Sequence, residues 1–177
     1  GGGVGMDQAK PSFVDCRLFK NEKSNLDVTD TASVGLVRCD VHESQGAGLL
    51  LHQKARARLV DCTVRANRRV GVSATPGTYV RIEGGTISES GGEGINFETA
   101  TAVVTNCEIS ANASYAIFVT NQGSITLQDC RFLKASSGVM WLDNASRLRA
   151  ERCSSESANG DSITLNSSSG ILRDVRI

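Results

Sequence analysis

The stretch VDCTVRANRRVGV, residues 60–72, stands between two phrases built in the same way. VRCDVHESQGAGL (37–49) precedes it and TNCEISANASYAI (105–117) follows. The six cysteines fall at 16, 39, 62, 107, 130 and 153, so successive spacings are 23, 23, 45, 23 and 23. The gap of 45 is two periods whose middle cysteine is replaced by Gly85 in EGGTI. An eighth copy ends in LRDVRI, with Val175 in the cysteine position. A fixed period of this size is the signature of a solenoid.

Other positions keep the same period. Three residues before the cysteine come Phe13, Leu36, Leu59, Ile82, Val104, Leu127, Ala150 and Leu172. Two residues after it come Leu18, Val41, Val64, Ile87, Ile109, Phe132, Ser155 and Ile177. A later apolar pair reads Leu26/Val28, Leu49/Leu51, Val72/Ala74, Ile95/Phe97, Ile117/Val119, Val139/Trp141 and Ile163/Leu165. Each repeat therefore holds three short runs of period 2 separated by polar turns. Glycines 48, 71, 94 and 138 precede the later pair and suggest a turn with φ > 0. The pattern predicts an all-β, single-stranded right-handed parallel β-helix of about seven to eight rungs, with three short strands per rung of 22–23 residues. At about 4.8 Å per rung, seven periods make a rod of roughly 34 Å. Residues 1–11 are expected to be a flexible lead-in or expression remnant, and residues 12–177 the β-helix domain of a longer protein.

Composition narrows the chemistry. The chain of 177 residues balances 19 basic against 19 acidic residues, so net charge points to no polyanion, and nucleic acid is disfavoured as a partner. No apolar run approaches the ~20 residues of a membrane helix, so no membrane partner is expected. Stacked rungs hold equivalent cysteines with parallel Cβ vectors, which suits a buried ladder of reduced thiols better than cross-links. There is no CxxC spacing, so no metal site is expected. Free buried thiols point to a reducing, cytoplasmic location.

The stretch SFVDCRLFKNEKSNLDVTDTASVGLVRCDVHESQGAGLLLHQKARARLVDCTVRANRRVGVSA (12–74) resembles the β-helix repeats of F-box-only ubiquitin-ligase receptors and a spindle-associated relative. The shared phrase is apolar-x-x-Cys/Asn-x-Ile, then Gly-Val/Ile-x-Val, and it runs through residues 12–177. The resemblance implies the same rod and a role in ubiquitin-ligase substrate recognition or as a cytoskeletal scaffold. The wider repeat class also contains pectate lyases, polygalacturonases, mannuronan epimerases and a periplasmic copper-loading protein, so fold alone does not select a function.

The outward columns show no catalytic set. Asp15/Arg38 and Asp129/Arg152 alternate in sign on adjacent rungs and read as ion pairs that fix register. Asp40 and Glu108 stand three rungs apart, about 14 Å, beyond the carboxylate separation of a glycosidase. His42 and His52 read as solvated turn residues. Asn112, Asn144 and Asn166 begin Asn-x-Ser sequons at about the frequency that this composition provides. No cofactor is implied. Two surface features remain: a basic cluster around Arg58, Arg68, Arg69 and Arg81, and an outward apolar pair, Phe118 and Met140. The first suits an acidic or phosphorylated peptide and the second a protein contact. Non-enzymatic scaffolding of a protein partner is the expected function, with end-to-end self-association through the rod ends as a further expectation. The alternative is a carbohydrate-active β-helix, which would require an acid and base converging with Arg or His in a groove, or a carbohydrate-binding one, which would require outward aromatics. Trp141 is assigned inward, leaving Phe118 the one outward aromatic and Tyr79 and Tyr115 near turns.

Overall fold

The computed structural model describes residues 2–156 and 159–176, and it is the expected parallel β-solenoid. Every strand pairing is parallel, and each strand stacks on its counterpart one period away. An eight-stranded sheet runs Val4–Asp7, Leu26–Thr29, Leu49–Leu51, Val72–Ala74, Ile95–Glu98, Tyr115–Thr120, Gly138–Leu142 and Ile163–Leu165. The remaining thirteen strands form one second sheet that bends at the cysteine corner into two faces. Arg56–Arg65 and Tyr79–Ser88 run unbroken through that corner and hold the two faces together. Among the described residues there is no helix.

The inward residues stack in continuous columns along the rod. Leu26, Leu49, Val72, Ile95 and Ile117 stack as one column, and Leu36, Leu59, Ile82, Val104 and Leu127 as another, all at most 2% exposed. Stacking like on like lets the same rotamer repeat along the rod, which supports close packing. Cys39, Cys62, Cys107, Cys130 and Cys153 are buried and free, as the spacing predicted. Each thiol donates to the carbonyl two residues earlier, as from Cys107 Sγ to the Thr105 oxygen at 3.2 Å and from Cys62 Sγ to the Val60 oxygen at 3.3 Å. Burial pushes the Cys107 thiol up to about 12, so it remains protonated.

The corner just before the cysteine has a conformation that the residue types alone conceal. Asp15, Arg38, Asp61, Asn106, Asp129, Arg152 and Asp174 all have φ between 50° and 54°, with Gly84 at 71° in the same column. A single left-handed residue turns the chain from one face to the next, and rung stacking repeats that conformation. The cross-rung pairs expected on this corner form. Arg38 donates twice to Asp15, at 2.8 and 2.9 Å, and Arg152 twice to Asp129, at 2.7 and 2.9 Å.

Three expectations need correction. Residues 1–11 are not simply a lead-in, because Val4–Asp7 pairs with Leu26–Thr29 and Met6 lies inward at 6% exposure. Glycines 48, 71 and 94 are not left-handed, and only Gly138 has a positive φ, at 151°. The other three are required by close approach: a Cβ would lie 2.7 Å from the Gly71 oxygen at Gly48, and 2.6 Å from the Gly94 oxygen at Gly71. His42 is not solvated; its side chain is 11% exposed and stacks on Phe19 at 5.1 Å with the rings 3° from parallel. The inward position expected for Ile177 lies outside the described residues.

Those close approaches belong to a polar ladder inside the rod. Ser44, Asn67, Ser90 and Asn112 follow one another at one-period spacing and are at most 2% exposed. Asn67 Oδ1 accepts from Ser44 N (3.1 Å), Ser44 Oγ (2.9 Å) and Asn25 Nδ2 (3.2 Å), while Asn67 Nδ2 donates to the Val41 oxygen at 3.2 Å. Asn112 repeats the pattern with Ser90 N at 3.0 Å. The Asn25, Ser44, Asn67 and Asn112 side chains satisfy backbone groups where the chain bends, whereas Ser90 Oγ is buried without a hydrogen-bond partner among the described residues. Asn112 is therefore engaged inside the rod, whereas Asn144 and Asn166 are exposed.

Candidate functional site

The outward column of the eight-stranded sheet runs Asp27, Leu50, Ser73, Asn96, Phe118, Trp141 and Thr164. Met140 is not part of it. Ile117 pairs with Met140 and Phe118 with Trp141, so Met140 is 1% exposed and Trp141 faces outward. The cause lies in VMWL (139–142), four apolar residues in succession, which gives no alternation to fix which face is inward. Val139, Met140 and Leu142 are all buried, and the indole is placed outside.

This register assembles an aromatic platform. Tyr115 lies 5.6 Å from Trp141 and 6.1 Å from Phe118, ring centroid to ring centroid, both tilted. All three rings are partly exposed. Such separations and tilts are those of favourable aromatic contacts. Gly138 makes the arrangement possible, because Tyr115 is its partner across the sheet and the ring lies over it. A Cβ at Gly138 would meet Tyr115 Cε1 at 3.0 Å. Polar groups border the rings: Glu93 accepts from Ser114 Oγ at 3.3 Å and from Asn96 Nδ2 at 3.4 Å, and Asn96 is Phe118's neighbour on the preceding rung. A flat apolar surface beside a carboxylate, an amide and a hydroxyl can stack a ring and hydrogen-bond its substituents.

The basic residues do not converge. Arg58 and Arg81 share a column on the second sheet, and Glu83 joins them, accepting from Arg58 at 2.7 Å and also from Arg81. Those two guanidiniums hold the Glu83 carboxyl below the usual carboxylate range, and the one carboxylate answers half of their charge in place. Arg68 lies at a different corner and donates to Gln45 Oε1 at 3.0 Å, with Arg69 beside it. Arg65, on the far side of the cysteine corner, is held by Asp40 at 3.0 Å. Asp40 and Glu108 are therefore ion-paired carboxylates, the latter with Arg131 at 3.9 Å. His52 Nε2 approaches Asp27 Oδ1 at 3.8 Å. Among the described residues, no group of three or more His, Cys, Asp or Glu could hold a metal.

Comparison with known proteins agrees with this architecture. A search of curated proteins gave no match. Among solved structures, full-length tailspike protein 2 of the Escherichia coli O157:H7 bacteriophage CAB120 superposes with a TM-score of 0.71 at 12% identity, over 91% of this chain and 25% of that one. The enzymatically active domain of bacteriophage CBA120 tailspike protein 2 superposes at 0.64 with 11% identity, over 83% of this chain and 27% of that one. The chain thus spans about a quarter of the length of these neighbours. At such identity the likeness is one of fold. The family model described as the right handed beta helix region matches residues 47–177, and the chain belongs to that family.

Proposed function

We propose that the chain is a carbohydrate-binding β-helix that takes a glycan on the outward face of its eight-stranded sheet. The observation that carries this reading is the outward cluster of Tyr115, Phe118 and Trp141. Sugar rings present apolar C–H faces to aromatic side chains and hydroxyls to their edges. Glu93, Asn96 and Ser114 are placed to meet those hydroxyls. A similar fold occurs within the enzymatically active domain of a phage tailspike protein. The reading here is binding.

Glycan-array screening of the purified chain, beside Trp141→Ala, Phe118→Ala and Arg68→Glu variants, tests the proposal. Retention of a glycan that weakens about tenfold or more in Trp141→Ala is expected, the loss typical of a central aromatic anchor. Arg68→Glu, at a different corner, leaves retention unchanged. An empty array, or retention indifferent to Trp141→Ala, overturns the reading. The scaffold alternative uses the same face, since Phe118 beside Trp141 is also an exposed apolar contact. An empty array together with Trp141-dependent capture of a protein favours that alternative.

A further inference from the structure

Six arginines of this rod are answered by a carboxylate. Arg38, Arg58, Arg65, Arg81, Arg131 and Arg152 each have one within 4.0 Å. Arg147 and Arg149 are among the arginines that are not so answered. Both lie on the strand Arg147–Glu151 of the second sheet, and both are exposed, while Leu148 between them is buried. Alternation along the strand places the two side chains on one face, about 6.8 Å apart at Cα. Among the described residues neither has an acidic partner within 4.0 Å.

Register explains why. Arg149 stands in the same column as Arg58 and Arg81, but its neighbours across the sheet are Thr126 and Ile171. Arg147 lies between Ser124 and Ser169. The column that supplies Glu83 to the earlier pair supplies Glu151 on this rung, and Glu151 accepts from Arg152 Nη1. Asp143, on the preceding corner, accepts from the Asn144 backbone N–H at 2.7 Å. Two unanswered guanidiniums therefore flank an open groove bordered by the hydroxyls of Ser124, Thr126 and Ser169.

We propose that this groove binds an oxyanion group, a carboxylate, sulfate or phosphate, between Arg147 and Arg149. The guanidiniums supply charge-assisted forks and the three hydroxyls supply further donors. The site lies on a different sheet from the aromatic platform and does not depend on it.

Side-chain Nε–Hε NMR resonances of all arginines, followed at low salt during titration with inorganic phosphate and separately with a galacturonate oligomer, test the proposal. Saturable shifts at Arg147 and Arg149 are expected, with Arg58 and Arg81 unmoved because Glu83 holds them. Arg149→Gln weakens binding about tenfold and Arg149→Lys by less, since lysine keeps the charge without the fork. Trp141→Ala leaves the titration unchanged, which separates this site from the glycan platform. Tighter binding of the galacturonate oligomer identifies an acidic saccharide as the carrier, and tighter binding of phosphate a phosphoester; either supports the site. Uniform, non-saturating drift across all arginines means ionic screening alone and overturns it. An Arg149→Gln titration identical to that of the parent chain also overturns it.

Discussion

Ala111 sits at φ 52° on an exposed corner, a conformation that an L-residue holds at a cost of about 1–2 kcal/mol. Its side chain is exposed, so little packing is lost on removing the methyl. Ala111→Gly is expected to stabilise the rod by roughly 0.5–1 kcal/mol, the relief of strain exceeding glycine's added chain entropy. Urea unfolding measures this; a destabilised variant would show that the stacked corner holds no strain. Asn67 is the opposite case. Its amide ties Ser44, Asn25 and Val41 together inside the rod, and Asn67→Ala leaves several of those groups without partners. A loss of about 3 kcal/mol is expected, at the upper end for orphaned buried polar groups. A loss below about 1 kcal/mol in the same assay would mean that water replaces the amide readily. Neither residue was conspicuous in the sequence. Ala111 carries no hint of positive φ, and the ladder Ser44, Asn67, Ser90, Asn112 reads as ordinary turn residues because its two residue types alternate.

At the scale of strands and corners, the repeated phrase around the cysteines made three faces and their inward columns legible before any coordinates, because strict alternation leaves a single register that buries the apolar set. Where alternation fails, so does the reading. VMWL permits two registers, and packing decides for Met140 and Leu142 inward and Trp141 outward. The glycines before the later strand were recognisable as special, but the reason, contact with the next rung's backbone and the Asn/Ser ladder, depends on stacking. The cysteine corner was read correctly as a site of cross-rung ion pairs, and these make a pH prediction. The hydrogen bond from Arg152 lowers the Asp129 carboxyl below its ordinary value in the folded state. A depressed folded value means that the pair's stabilisation is present above the unfolded carboxyl's value, about 3.9, and is lost as pH falls through the folded one. The stability difference between the parent chain and Arg152→Gln should therefore be constant from neutral pH to about pH 5 and shrink below about pH 4. Thermal melts across that range check it; a difference that persists in acid would assign the effect to packing of the arginine stem.

Across the whole molecule, a uniform rod presents distinct surfaces. The second sheet carries ion-paired arginines and, on the strand Arg147–Glu151, two that face a groove with no carboxylate within 4.0 Å among the described residues. The eight-stranded sheet carries a small polar stretch followed by three rings. Net charge near zero conceals this division, and no sequence window revealed it, because each surface is assembled from residues 22 or 23 positions apart. The basic cluster of Arg58, Arg68, Arg69 and Arg81 divides once the chain coils, with Arg58 and Arg81 adjacent on the second sheet and Arg68 and Arg69 at another corner. Trp141, read as core, proves to be the centre of the candidate glycan face. It is the one tryptophan of the chain, so its fluorescence reports on that face alone. Acrylamide quenching of the free chain, repeated in the presence of an oligosaccharide retained by the parent chain, is the most direct measurement. The structure predicts a quenchable, partly exposed indole that becomes protected when the sugar binds. An indole already inaccessible in the free chain, or one equally quenched with and without the sugar, would contradict the account.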